Sequence, residues 1–524
     1  MNQPQQPGVP STGGGQLSST TLPSRPDFDQ ARHGGAGWSS LWDAFARGVR
    51  DNMAGEVVVQ AVRIGGVIFL ARALRPQDFG LLKVLTIVGM FGMLLAEAGL
   101  PEALIQRADL RQEHEVTAWW STLVLSFSLV AGLYFGAPWL ASAMGMKGLV
   151  FGARLLCIPL LLQGIAICAH ARLRRELRFG AIAVANALAE ILFLTVALVL
   201  LFEGLPQWSL PAALGARLGV HALVVLVADA RLPLGLPRLW AALDLARFAG
   251  TVLAGGFITT GSGNIDYLLV GRLLGSTTLG FYSIAWDLFR FIPDRLYRIA
   301  GLVAFPAFCK LQGNDPELAR AYRTFVNYLG RVVLPVLGCV AIAAPELLES
   351  IYGPKWLPAA GPMRILAVGL ALLGVRIAIG TVYYAKDYPS FDIYLHGVRF
   401  VLIVAAVGLT APMGLVAICG AVSIVEATVS IIGQYLVCLL VGMRLRELAA
   451  AVIPGLRITA ACAAVTVLGK LAGATLNFHA PLVLVFVAAP PAIVFCWLQA
   501  DEVLGMVRRA SGRRWTGILD VAET

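Results

Sequence analysis

The stretch FLARALRPQDFGLLKV (Phe69 to Val84) is echoed two hundred residues on by LVGRLLGSTTLGFYSI (Leu269 to Ile284). Arg72 aligns with Arg272, Leu74 with Leu274 and Gly80 with Gly280, and the small residues Ala71 and Gly271 also coincide. Three identities weigh little in so apolar a chain. Their position weighs more, because each copy closes one long apolar run and opens the next. A duplicated half built of membrane helices is the layout of a transporter whose pathway runs between two lobes.

Composition agrees. Hydrophobic residues make up 58% of the 524 and charged residues 14%, with a mean hydropathy of +0.76. Soluble domains run at roughly 45–50% apolar and about 25% charged. The first 37 residues differ: they are rich in Pro, Gly, Gln and Ser, bury little, and read as a disordered cytoplasmic tail. No basic region followed by an apolar core and cleavage site appears there, so no signal peptide is expected. The eight cysteines stand singly in or beside apolar segments, which favours buried thiols over disulfides or metal ligands.

From about residue 50 the chain reads as helix after helix, each near the ~20 apolar residues that cross a bilayer. The spans fall near 53–72, 80–98, 117–138, 149–169, 179–202, 208–227, 249–271, 279–302, 326–346, 361–383, 391–410, 414–440, 452–473 and 480–500. The fold class is an all-α polytopic membrane protein of about fourteen spans. With the amino terminus inside, about 23 lysines and arginines lie in inner loops and about 5 in outer ones. That asymmetry accounts for most of the net charge of +10 and excludes a nucleic-acid surface. An even span number puts both termini in the cytoplasm.

Six crossings separate the two copies of the repeat, so both halves enter the membrane in the same sense. They are parallel repeats about an axis along the membrane normal. The expected organisation is a six-helix lobe over 38–230, an amphipathic connector over 231–248 and a second six-helix lobe over 249–442. Two extra helices over 443–500 and a cytoplasmic tail over 501–524 complete the chain.

Charges inside the spans are the informative ones. A lone charge in hydrocarbon costs about 2.5–3.5 kcal/mol even on the lenient insertion scale, so it stays where it meets a partner or water. Span one carries Arg63 with Arg72 at its end; span two carries Lys83 and Glu97; span seven carries Asp266. In span eight Asp287, Arg290, Asp294 and Arg298 step by three, four and four, which sets them on one stripe. One reading is structural pairing, Asp287 with Arg290 and Asp294 with Arg298. The other is a cationic cavity that accepts an anion, favoured by the excess of arginine over carboxylate. Glu97, Glu190 and Glu426 read as partnered structural carboxylates rather than a proton relay, and His221 as a packing histidine. Walker A, HExxH, GxSxG and clustered Cys/His patterns are missing, so no nucleotide-driven pump, hydrolase, catalytic residue or metal site is indicated.

LARALRPQDFGLLKV, LLAEAGLPEALIQR (Leu94 to Arg107), NIDYLLVGRLLGSTTLGFYSIAWDLFRFIPDRL (Asn264 to Leu296) and FPAFCKLQGNDPE (Phe305 to Glu317) together resemble a known family. It is that of the Wzx-type oligosaccharide flippases, in the multidrug/oligosaccharidyl-lipid/polysaccharide superfamily. The resemblance covers about residues 50 to 445. It implies two six-helix lobes enclosing a cavity lined by spans one, two, seven and eight, in the bacterial inner membrane. It also implies transfer of a polyprenyl-diphosphate-linked oligosaccharide between leaflets, no cofactor, and a polymerase or export machinery as partner. Arginine suits a diphosphate because its planar fork donates in pairs and stays charged when desolvated. Arg63, Arg290 and Arg298, then Arg72, Arg272 and Lys83, are the residues expected to contact it. Asn264, Asp266, Asp287 and Asp294 are candidates for a coupling cation or for ion pairing, with pairing favoured for Asn264 and Asp266. A drug or cation antiporter would want a cavity dominated by carboxylates. A membrane glycan polymerase or ligase would want a long outer loop, and residues 347 to 360 are too few to hold a site. A scaffold would leave the buried arginines unexplained. Gly80 and Gly280 are expected at tight helix exits.

Overall fold

The computed structural model describes residues 59–369 and 373–475, with side chains for all of these except 289, 291–303, 373–378 and 473–475. All regular structure among them is helical. The first lobe holds α1 (59–73), α2 (Pro76–Glu97), the short α3 (Leu100–Gln106) and α4 (Gln112–Met144). It continues with α5 (Leu149–Leu155), α6 (Cys157–Arg175), α7 (Phe179–Phe202) and α8 (Pro206–Ala228). The second holds α9 (Leu239–Lys310), α10 (Asp315–Tyr352), α11 (Ala360–Gly369) and α12 (Leu373–Ala385). α13 (Pro389–Thr410), α14 (Leu415–Leu440) and α15 (Leu445–Thr475) follow. Ten helices among the described residues are long and apolar enough to cross a membrane. Expected span fourteen, the amino-terminal tail and the carboxyl-terminal tail lie outside the described residues.

Helix starts follow local chemistry. Pro76 opens α2, where its missing N–H costs nothing, and the Asp78 carboxylate accepts the Arg75 N–H at 3.0 Å. Asn314 caps α10 by accepting the Glu317 N–H at 3.3 Å. α4 ends on Gly145, whose φ of 67° suits a residue without Cβ. Expected spans seven and eight form one 72-residue element broken at Gly275, with φ 82° and ψ 173°. The connector also differs from expectation. Residues 230–238 form no helix, and the helix that starts at Leu239 runs on without a break through Phe248 into the next span. Seven of the eight cysteines are described, and all seven are free.

One end of the molecule, termed basal, collects the residues around 102–115, 172–178, 228–238, 312–315 and 386. Arg172 there bridges Asp229 (2.6 Å) and Glu115 (2.9 Å), while Arg231 bridges Asp229 (2.6 Å) and Glu176 (2.7 Å). Burial pushes the Asp229 carboxyl up, but hydrogen bonds from Arg231 and Arg172 outweigh it and hold the group below the usual carboxylate range. Many of the basic loop residues counted for orientation are therefore neutralised locally.

The opposite, apical end carries the seam between the lobes. A Cβ placed on Gly80 would lie 1.9 Å from the Ser276 carbonyl oxygen, and one on Gly280 would lie 1.9 Å from that of Pro76. The repeat thus packs against itself, α2 crossing the second arm of α9 at equivalent glycines. This corrects the expectation that Gly80 and Gly280 sit in helix exits: both are within helices, and close crossing of two backbones is what excludes a side chain. Below the crossing, α2 stays against the first arm of α9, with Phe91 edge-on to Phe257 at 5.3 Å and Gly99 facing the Ala249 carbonyl.

Candidate functional site: charges within and between the lobes

In the first lobe α1 presents Arg63 to Glu190 of α7. The guanidinium donates through Nε to Oε1 at 3.1 Å and through Nη2 to Oε2 at 3.0 Å, the paired geometry its planar fork favours. Arg217 of α8 lies 3.8 Å from the same carboxylate. Arg63 nevertheless keeps 42% of its side chain exposed, and a Cβ on Gly65 would meet nothing within 4 Å. His221 contacts the Gln163 amide nitrogen at 3.4 Å, the packing role expected of it.

The second lobe holds the counterpart with its charges exchanged. Arg399 of α13 donates to Glu426 of α14 from Nη2 at 2.5 Å and from Nε at 2.7 Å, and from Nη1 to the Ser262 hydroxyl of α9 at 3.0 Å. Glu190 to Arg399 and Arg217 to Glu426 are each 209 residues apart (190 to 399, 217 to 426), so acid and base have changed places between halves. Glu190 and Glu426 are thus partnered, as expected. Asp266 is buried and accepts from the Tyr282 hydroxyl at 2.7 Å; its other oxygen, Oδ1, has no hydrogen bond among the described residues. Its partner is a tyrosine across the Gly275 break, while the lobe's buried arginine pairs with Glu426. Asn264 donates to the Thr260 carbonyl of its own helix at 2.9 Å.

Between the lobes Lys83 of α2 reaches Asp287 of α9 at 3.1 Å and lies over the Tyr267 ring at 4.0 Å. Asp287, 59% exposed, therefore pairs across the seam as well as sharing a stripe with Arg290, whose guanidinium stacks 5.8 Å from the Trp286 ring. The side chains of Asp294 and Arg298 lie outside the described residues. The repeat arginines part company. Arg72 donates across the seam to the Ile351 carbonyl at 2.9 Å and to that of Ser350. Arg272 is exposed, with no hydrogen bond or ion pair among the described residues. The structure thus brings Lys83 and Asp287 together and keeps Arg63 in its own lobe. Sequence reading missed Arg399, Tyr282, Lys355 and Trp356 as partners; a second internal offset, of 209 residues, was the signal for Arg399. No group of three or more His, Cys, Asp or Glu side chains able to hold a metal occurs among the described residues.

A family model described as "Polysaccharide biosynthesis protein" matches residues 69–361. The teichuronic acid biosynthesis protein TuaB of Bacillus subtilis is 24% identical over 308 residues, 58% of this chain and 64% of TuaB. The succinoglycan biosynthesis transport protein ExoT of Rhizobium meliloti is 28% identical over 314 residues, 58% of this chain and 62% of ExoT. The chain therefore spans a little under two thirds of the length of these two relatives. Among solved structures it is similar to the lipid II flippase MurJ in an inward closed conformation, with a TM-score of 0.65 and 11% identity. That match covers 86% of this chain and 100% of MurJ. It is also similar to an inward-facing multidrug resistance transporter of the MATE family, in the MOP superfamily, with a TM-score of 0.59 and 16% identity. There 73% of this chain and 94% of that one are covered. At such identities the likeness is one of fold, and it is the fold expected from the duplicated sequence.

Proposed function

The chain belongs to the polysaccharide biosynthesis protein family, matched over residues 69–361, and from that premise we propose that it flips a polyprenyl-diphosphate-linked oligosaccharide across the membrane. The proposed direction is from the cytoplasmic to the periplasmic leaflet of a bacterial inner membrane, with both termini in the cytoplasm. The lobes alternate access around a wet, cationic path. One observation carries the reading: Arg63 of α1, in the first expected span, is half-exposed although paired, beside a glycine that faces open space. A guanidinium in a span stays where it meets a partner or water, and the exposed part of this one can also take an anion. Arg63, Lys83 and Arg290 would receive the diphosphate, the glycan would occupy the wet space, and the polyprenyl chain would stay in lipid. Arg298 and Arg272 extend the cationic path in this reading, with Asp287 as the partner that the diphosphate displaces from Lys83.

The test is a leaflet assay in liposomes with a fluorescent polyprenyl-diphosphate oligosaccharide matched to the host. Arg63→Ala and Arg290→Ala should each slow movement by roughly ten- to a hundredfold, as expected for one charge-assisted hydrogen bond of about 1.5–3 kcal/mol. Efflux of an organic cation with no movement of the lipid would overturn the reading in favour of an antiporter.

A further inference from the structure

Residues 347 to 360 are too few for a catalytic site, yet this segment does something specific. α10 ends at Tyr352, and a 3-10 turn over Pro354–Ala359 folds down onto the first lobe. Lys355 Nζ donates to the Arg72 carbonyl at 2.8 Å and to that of Leu74 at 2.5 Å. Trp356, fully buried, donates through Nε1 to the Ala71 carbonyl at 2.8 Å. Its ring lies edge-on to Phe79 of α2 at 5.3 Å and to Phe281 of α9 at 6.0 Å. In return Arg72 donates to the Ser350 and Ile351 carbonyls in the last turn of α10.

The last carbonyls of a helix have no partner within it, and they form the negative end of its dipole. At the apical end each lobe therefore supplies a cation to the open helix end of the other. Arg72 serves α10, and Lys355 with Trp356 serves α1. Among the described residues the related contact in the other half has no such bonds. There Met144 and Met146 of the first lobe approach Gly271, the counterpart of Ala71, and Arg272 stays exposed. One side of the pseudo-symmetric seam is greased by methionine and the other is latched by reciprocal capping.

We propose that Arg72, Lys355 and Trp356 form the apical latch that holds the lobes shut at this end, and that its release admits water and opens the pathway there. This rests on the alternating-access reading above. Every latch bond is made to a backbone carbonyl, which water can satisfy as soon as the lobes part, so the latch can open without stranding a buried polar group. For Arg72 this makes gating, rather than diphosphate contact, its role in the closed state.

The test measures the lobes directly in the full chain, in nanodiscs without substrate. Spin labels go on cysteines at Glu203 and Met413, one per lobe, in a background without other accessible cysteines. The native latch should give mainly a short distance. Arg72→Ala and Lys355→Ala should each raise the long-distance population several-fold, and Arg72→Lys, which keeps a cation at the α10 carbonyls, should largely restore the short one. Arg272→Ala should leave the distribution unchanged. Unchanged distances in both alanine variants, or the same shift in Arg272→Ala, would overturn the latch. If an alanine variant does not fold, Lys355→Met and Trp356→Phe, which remove the donor and keep most of the bulk, are read in the same way. No substrate is needed, so failure to flip a lipid-linked glycan would count against the function and leave this result standing.

Discussion

Gly275 and Gly80 are indispensable for opposite reasons. At Gly275 a Cβ would meet nothing within 4 Å, but φ 82° with ψ 173° is a backbone region open essentially to glycine alone. At Gly80 the backbone is helical and the space is missing, since a Cβ would lie 1.9 Å from a carbonyl oxygen that no rotamer can move. Gly275→Ala should therefore lower stability by about 1–3 kcal/mol whatever the separation of the lobes. Gly80→Ala should act through the seam and favour states in which the lobes have parted. Thermal unfolding in detergent, combined with the inter-lobe distance, separates the two. A Gly80→Ala protein with native distances and native stability would refute the close crossing.

At the scale of elements, Arg399 and Glu426 pin α13 to α14 and, through Ser262, to the first arm of α9. Both are nearly inaccessible, so removing one partner strands a charge. Breaking such a pair costs roughly 3–5 kcal/mol, whereas replacing both partners by apolar residues is often close to neutral. Arg399→Met and Glu426→Leu should each lower the thermal midpoint sharply, and the double change should recover most of the loss; a double variant as unstable as the worse single would refute pairing as the cause. The helices themselves were legible in the sequence because apolar runs of the right length bounded by charged loops need no tertiary information, and Phe179–Phe202 matches its expected span closely. Partners were harder. Asp287 lies within reach of Arg290 along its own helix, but Lys83 comes from an element whose register against it is set only by the Gly80–Gly280 crossing. Glu190 and Glu426 could be read as partnered from cost alone, while naming Arg63 and Arg399 required the lobe to be assembled. In the sequence Gly80 and Gly280 stand out as a pair but read as helix exits, because a glycine that permits a backbone conformation and one that permits an approach look alike there.

At the scale of the whole molecule, the duplication first seen at Phe69 and Leu269 returns as two lobes that each hold an arginine–glutamate pair and share one continuous apolar core, joined covalently only through residues 229–238. That strap belongs to the first lobe by its bonds. Trp120 Nε1 donates to the Gly235 carbonyl at 3.0 Å, the Arg238 N–H donates to the Thr117 hydroxyl at 2.9 Å, and Asp229 is held by Arg172. Its leucines at 232, 234 and 236 point away and are exposed. The strap therefore positions the start of α9 but is not what holds the lobes together; the Gly80–Gly280 crossing, the Lys83–Asp287 pair and the apical latch do that without it. In the membrane two inserted halves are confined to one plane with their orientation already fixed, so re-association needs only lateral encounter and helix packing. Residues 1–236 and 237–524, co-expressed as separate chains with a tag on one, should co-purify in detergent and reproduce the inter-lobe distance of the intact chain. Arg72→Ala placed in the first half should weaken co-purification, because the latch then contributes to assembly as well as to closure. Halves that insert stably but do not associate would mean that the covalent strap, rather than the self-complementary repeat, makes the two lobes one molecule.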